Sequence, residues 1–154
     1  MANYSPSSGA PVVNEKESSF ARPTIRLLLT LITAAGLAVD AFVHWDLAPS
    51  LDAVTGTGSP QISQGQLFRL EAVMAVVAML LVLTIRRRIA PVVAFLVAAG
   101  GLGAVLLYAF VNVGEVGPMP NMYDPTWYAE KTISAVAEGV AALGALLLLR
   151  LPRR

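Results

Sequence analysis

Four long apolar segments constrain this chain more than any other feature of its sequence. Each holds about 20 residues, and at about 1.5 Å per residue a helix of that length crosses about 30 Å of hydrocarbon. Hydrophobic residues make up 56% of the chain and charged residues 14%, whereas soluble domains carry about 25% charge. The sequence predicts an all-α fold, a bundle of four transmembrane helices at about 24–45, 66–85, 91–111 and 129–151.

Composition excludes several other classes of protein. There is no cysteine, which excludes disulfides, thiol catalysis and thiolate metal sites. Eleven basic residues against ten acidic ones leave no positive field for nucleic acid. No nucleotide-binding or hydrolase motif is present, so we predict no enzyme activity and no cofactor.

The ends of the chain are polar. Residues 1–24 are rich in Ser, Pro, Asn and Glu and are predicted to form a disordered cytoplasmic tail, with a basic tail at 152–154. Residues 25–151 form the predicted transmembrane domain. The first apolar span is interpreted as an uncleaved anchor, because Val39-Asp40-Ala41 is a poor cleavage site for a signal peptidase.

Basic residues predict the orientation. Most of them lie near the two termini or in the short link between spans two and three, whereas eight of the ten acids lie elsewhere. The positive-inside rule then places both termini and that link in the cytoplasm, with an up-down-up-down course through the plasma membrane. The basic residues concerned are Lys16, Arg22, Arg26, Arg86, Arg87, Arg88, Arg150, Arg153 and Arg154.

Ionisable residues interrupt the apolar spans. Asp40, Arg69, Glu71 and Glu138 lie inside them, and His44 ends the first. A charge at the centre of a bilayer costs about 2.5–3.5 kcal/mol on insertion scales, and such residues usually face the bundle interior. Counted along the helices, the three carboxyls fall in one layer of the outer half of the membrane.

Small residues share a helical face with each carboxyl, which predicts that the carboxyls point towards neighbouring helices. We predict a buried polar cluster of Asp40, His44, Arg69, Glu71 and Glu138, with Tyr108 and Asn112 as neighbours. Glu138 is the favoured partner of Arg69, with Asp40 and Glu71 as competitors. Three acids against one fixed cation leave a deficit, so at least one carboxyl is protonated or meets a cation from outside.

Three interpretations of this cluster stay open: ion pairs that hold the helices in register, a site for a proton or cation, and a cavity for a small organic ligand. A soft copper(I) site would combine His44 with methionines, but a hydrogen-bonded interfacial histidine is favoured. We therefore predict no metal site. The methionines considered are Met74, Met79, Met119 and Met122.

Three short motifs carry a resemblance to a known family. They lie at residues 43–47 (VHWDL), 62–73 (ISQGQLFRLEAV) and 133–138 (ISAVAE). With them the chain, over roughly residues 25–150, resembles small four-helix integral membrane proteins of actinobacteria. That family has no assigned activity, so the resemblance implies location and topology but no mechanism.

The favoured functional prediction is a non-enzymatic plasma-membrane protein that serves as an accessory or interaction subunit. Its partners would be the lipid bilayer and either another membrane protein or further copies of the chain. The alternative is a small transporter-like protein whose acidic cluster handles a proton, a cation or a small ligand. A cavity that reaches the carboxyls would favour the alternative, and a dry cluster satisfied by Arg69 and His44 would favour the subunit.

Overall fold

The computed structural model describes the backbone of residues 15–152 and the side chains of residues 22–152, and this part of the chain is all-helical. Four of its helices are long and apolar enough to span a membrane, which confirms the predicted all-α class and the number of such helices in the described residues. Phe42 and Phe110, each 70% exposed, are among many large apolar side chains on the outside of the bundle. The helices are α1 (Glu15–Leu47), α2 (Gln64–Thr84), α3 (Ile89–Phe110) and α4 (Ala129–Arg150).

The start of α1 differs from the sequence prediction. The helix begins at Glu15 and runs through Pro23, so residues 15–24 of the predicted disordered tail are helical. Hydropathy marks the part of a helix that suits a membrane, whereas polar residues such as Glu15 and Lys16 can extend the same helix beyond it. The rest of the two predicted tails, residues 1–14 and 153–154, lies outside the described residues.

Local sequence explains the start of α2. The hydroxyl of Ser63 accepts a hydrogen bond from the Gln66 backbone N–H, and the Gln66 side chain accepts one from the Ser63 N–H, both at 3.0 Å. This capping box satisfies two backbone donors that a helix start otherwise leaves unpaired. It starts the helix at Gln64, two residues before the predicted position.

The helices form a closed ring around a core of small side chains. The contact between α1 and α4 is the most extensive, α1 also packs on α2, and α3 packs on α4 and α2. Contacts between consecutive helices are expected of antiparallel neighbours joined in sequence, and the α1–α4 contact closes the ring. Small residues allow this close approach; the core consists of Leu37, Ala41, Ala75, Ala78, Ala94, Ala98, Ala141, Ala142 and Ala145.

The two longer connections, residues 52–63 and 111–128, contact each other, and we call this end of the bundle the loop end. The Ile62 N–H donates to the Pro118 carbonyl at 3.2 Å. The backbone N–H of Thr57 donates to Glu115 Oε2 at 3.1 Å and its hydroxyl donates at 2.5 Å. These hydrogen bonds hold the pKa of Glu115 below its ordinary value. The loops therefore form a joined cover over one end of the helices.

Replacing Gly36 by alanine is expected to lower the free energy of unfolding by about 1–3 kcal/mol, the usual cost of overpacking. A Cβ at Gly36 would lie 2.7 Å from the Ala137 carbonyl oxygen, and a backbone atom cannot yield unless α1 and α4 separate. Gly139→Ala is the matched control, because its Cβ would meet only Leu102 Cδ2 at 3.8 Å. Unfolding titrations in mixed micelles measure the free energy of unfolding of both variants. Equal values would contradict the close approach of α1 and α4 at Gly36.

Candidate functional site

Asp40 and His44 lie one helical turn apart on α1 and face the interior. Asp40 is fully buried and His44 is 7% exposed. His44 Nδ1 lies 2.8 Å from Asp40 Oδ1 and 3.1 Å from the Asp40 carbonyl oxygen. Since both neighbours of Nδ1 are acceptors, this nitrogen carries the proton and donates it. The Ser134 hydroxyl of α4 donates to Asp40 Oδ1 at 3.0 Å, so one carboxyl oxygen is held from two helices.

Glu138 brings a second carboxyl from α4 to the same place. Its side chain is fully buried, and neither of its oxygens has a hydrogen-bond partner among the described residues. Asp40 Oδ2 is buried and unpartnered in the same way. Oxygen atoms of Asp40 and Glu138 and a ring nitrogen of His44 all lie within 4.8 Å of one another. Two buried acids and an imidazole therefore share one small volume.

Glu71 completes the group from α2. Its side chain is half-buried, and its Oε1 is buried without a hydrogen-bond partner among the described residues. Gly101 of α3 explains how Glu71 approaches Glu138: a Cβ built there would overlap Glu138 Oε1 and lie 3.2 Å from Glu71 Oε1. Two carboxyls thus use the space that a side chain at position 101 would fill. We call Asp40, His44, Glu71 and Glu138 the acidic cluster.

Arg69 does not belong to the acidic cluster, so the expected pair with Glu138 is wrong. Its guanidinium donates to both carboxylate oxygens of Asp52, at 2.6 and 2.7 Å. Arg69 lies near the start of α2, and its long side chain reaches the loop end, where water lowers the cost of the charge. The hydrogen bonds from Arg69 hold the pKa of Asp52 below its ordinary value.

The two predicted neighbours have different positions. Tyr108 lines a cavity next to the acidic cluster. Asn112 lies beyond the end of α3 and is exposed, and its side-chain oxygen accepts hydrogen bonds from Asn121 and the Gly114 N–H. Asn112 therefore orders the loop and does not contribute to the cluster, because α3 ends at Phe110 and does not carry the helical face that far.

A cavity of about 350 Å³ leads from the loop end to the acidic cluster. Glu71 and His44 line its inner part, whereas Met122, Asp124 and Lys131 line it near the loops. The Lys131 ammonium is held by Asp124, with 3.1 Å to Oδ2 and 2.6 Å to the carbonyl oxygen. Burial alone would raise the pKa of Asp124, but hydrogen bonds from Thr126 and Lys131 hold it below the ordinary value.

The cluster has too few cations for its acids. Glu71, Glu138 and Asp40 supply up to three negative charges, and His44 is the one cationic partner within the set. In a low-dielectric interior an unpaired carboxylate is costly, so each of the remaining carboxyls is either neutral or bound to a cation. A site of this composition has the chemistry to bind a cation, with the cavity as its access route.

Two residues that matter here were not singled out by the sequence. Asp52 looked like an ordinary loop acid, but Gly65 gives it room: a Cβ there would overlap Asp52 Oδ1. A glycine one helical turn before Arg69 is the signal that the arginine has a partner beside the helix start. Gly101 is one of three glycines in α3, and nothing in the sequence separates it from Gly100 or Gly103.

Comparison of the chain with family profiles, with curated proteins and with solved structures found no match. The resemblance to small actinobacterial membrane proteins thus stays a prediction. What the chain does must be inferred from the geometry of the acidic cluster.

Proposed function

We propose that this chain is a small multi-pass membrane protein that binds a cation at the acidic cluster and receives it through the cavity from the loop end. The observation that carries this proposal is the group of unpartnered buried oxygens of Asp40, Glu71 and Glu138. A protein that used the cluster only to hold helices in register would gain nothing from leaving these acceptors unpaired, since each costs free energy.

The position of Arg69 also supports cation binding over the favoured sequence prediction of a subunit with a dry, self-satisfied cluster. Arg69, the arginine predicted to neutralise these acids, donates instead to both carboxylate oxygens of Asp52. The cavity reaches Glu71, one of the three carboxyls, and His44, which supports the transporter-like alternative. A non-catalytic, transporter-like role is therefore the function we propose.

The location that we propose is the plasma membrane, with an up-down-up-down course and both termini in the cytoplasm. The positive-inside distribution of lysine and arginine supports this orientation. A common side for the two termini is supported by Arg26 of α1, which donates to the carbonyls of Leu151 and Pro152. In this orientation the loop end and the mouth of the cavity face the outside.

Cysteine labelling tests the orientation, because the chain has no cysteine of its own. Thr57→Cys and Asn121→Cys should react with a membrane-impermeant maleimide in intact cells, since both lie in the loops at the loop end. Ser8→Cys should react only after the cells are permeabilised. Labelling of Ser8→Cys in intact cells, or protection of both loop positions, would reverse the proposed orientation.

A panel of cations tests binding directly. A ligand that binds only the folded state at 100 times its dissociation constant adds about 2.7 kcal/mol of stability. We expect at least one of Na⁺, K⁺, Mg²⁺, Ca²⁺, Mn²⁺, Co²⁺, Zn²⁺ and tetramethylammonium to raise the melting temperature of the detergent-solubilised protein. Glu138→Gln should remove that increase, and Glu130→Gln, an exposed acid on the same helix, should keep it. No stabilisation by any cation would reject the proposed function.

A further inference from the structure

We infer that the acidic cluster is a binding site for a divalent transition-metal ion such as Zn²⁺, Mn²⁺ or Co²⁺, with Asp40, His44 and Glu138 as protein ligands. The inference rests on the proposed function and specifies the class of cation. Glu71 lines the cavity and lies next to Glu138, so an ion that enters through the cavity would contact Glu71 before it reaches the three ligands.

The spacing of the donor atoms fits an ion of this size. Transition-metal bonds to nitrogen and oxygen are about 2.1 Å long, so adjacent ligands lie about 3 Å apart and opposite ones about 4.2 Å apart. One oxygen each of Asp40 and Glu138 and a ring nitrogen of His44 lie within 4.8 Å of one another. If Nδ1 is the ligand, the ion displaces the proton that Nδ1 donates to Asp40 Oδ1, as metal binding to histidine requires. A small rotation of the Glu138 side chain, which lies beside Asp40 and Ser134, would close the set around an ion.

The type of donor selects the class of metal. Calcium and magnesium prefer sites made of oxygen atoms, whereas an imidazole nitrogen combined with carboxylates suits zinc, manganese, cobalt and iron. Copper(I) prefers thiolate and thioether donors, and the three groups that converge here include neither. His44 is thus the residue that separates a transition-metal site from a general cation site.

Charge balance supports a divalent ion. Two carboxylates and a neutral imidazole around a dication sum to zero net charge, the state that a low-dielectric interior tolerates best. A monovalent cation in the same ligands would leave one negative charge uncompensated. Three unpartnered oxygens of Asp40 and Glu138 stay available for such an ion, since Ser134 and His44 engage only Oδ1 of Asp40.

Cobalt titration of the full-length protein in detergent tests the assignment. Co²⁺ bound to nitrogen and oxygen ligands has visible absorption bands that differ from those of the hydrated ion. We expect one equivalent of Co²⁺ to develop these bands, and Zn²⁺ to displace it. His44→Gln and Glu138→Gln should each weaken binding by about tenfold or more, and the exposed control Glu130→Gln should not.

The outcomes separate the two proposals. If the folded protein binds no Co²⁺ or Zn²⁺ but is stabilised by Na⁺, Ca²⁺ or tetramethylammonium, the metal assignment is wrong and the proposed function stands. If no cation at all stabilises the protein, both are wrong. Stoichiometric Co²⁺ binding that survives in both cluster variants would also overturn the assignment, because the metal would then lie elsewhere. Circular dichroism of each variant establishes that it is folded.

Discussion

Replacing Asp40 by alanine is expected to lower the free energy of unfolding by about 3 kcal/mol, the low end of the range for breaking a buried ion pair. Asp40 is the acceptor for both the His44 Nδ1–H and the Ser134 hydroxyl. Alanine removes both hydrogen bonds and leaves an imidazole, only 7% exposed, without the carboxylate that accepts its N–H, although the Glu138 carboxyl stays nearby. The low end of the range applies because an imidazole can lose its proton and become neutral, which an arginine cannot do.

The matched control is Asp46→Ala. Asp46 lies on the same helix and the substitution is the same, aspartate to alanine. Because Asp46 is exposed, its replacement should leave the free energy of unfolding nearly unchanged. The double variant Asp40→Ala with His44→Leu should recover part of the loss, because it removes the stranded imidazole as well. Unfolding titrations in mixed micelles give all three values. An Asp40→Ala protein as stable as Asp46→Ala would show that neither the pair with His44 nor the hydrogen bond from Ser134 of α4 stabilises the fold.

Helical periodicity predicted most of this cluster. Asp40 and His44 share a face of α1 with Thr33 and Gly36, and Glu138 shares a face of α4 with Ser134 and Ala141. In a membrane bundle the small residues of such a face mark the contact with a neighbour. The spacing of side chains along a rigid helix is fixed by 3.6 residues per turn, so the sequence could predict that the carboxyls on these faces point inward.

Arg69 shows where periodicity stops being informative. The depth of an arginine's Cα does not fix the depth of its guanidinium, because the side chain is long enough to reach the membrane surface. The partner of Arg69 depends on the conformation of residues 52–63, in which Asp52 packs against Gly65. Loop conformation depends on contacts between distant segments, such as the Ile62 to Pro118 hydrogen bond, and no local pattern encodes those contacts.

Burial of these carboxyls costs free energy, and a bound cation would offset that cost. Isolated buried carboxyls usually destabilise a fold, and evolution tends to keep such groups where function requires them. Glu138 contacts the small residues of a helix interface where alanine or leucine would pack without polar cost. Its presence beside Asp40 is hard to explain by stability, and a bound cation turns the same oxygens from a cost into a source of binding free energy.

Replacing Gly101 by alanine is expected to weaken cation binding by about 10- to 100-fold, the usual effect of disturbing the surroundings of a metal ligand. A Cβ at this position would overlap Glu138 Oε1 and crowd Glu71 Oε1. The Glu138 side chain can rotate away, and alanine favours a helix over glycine by about 1 kcal/mol, so the bundle should stay folded. The loss should therefore appear in binding and not in stability.

Gly100→Ala is the control for this substitution. It is the adjacent residue of α3 and has the same gain in helix propensity, but a Cβ there meets no atom within 4 Å. Co²⁺ titration and thermal unfolding of the two variants in the same detergent separate an effect on the ligand from an effect on the helix. If Gly101→Ala binds Co²⁺ as tightly as Gly100→Ala, the Glu138 carboxyl beside α3 is not a ligand. A selective loss in Gly101→Ala would show that the gap left by this one glycine is part of the site, because it gives the carboxyl the room it needs to reach an ion.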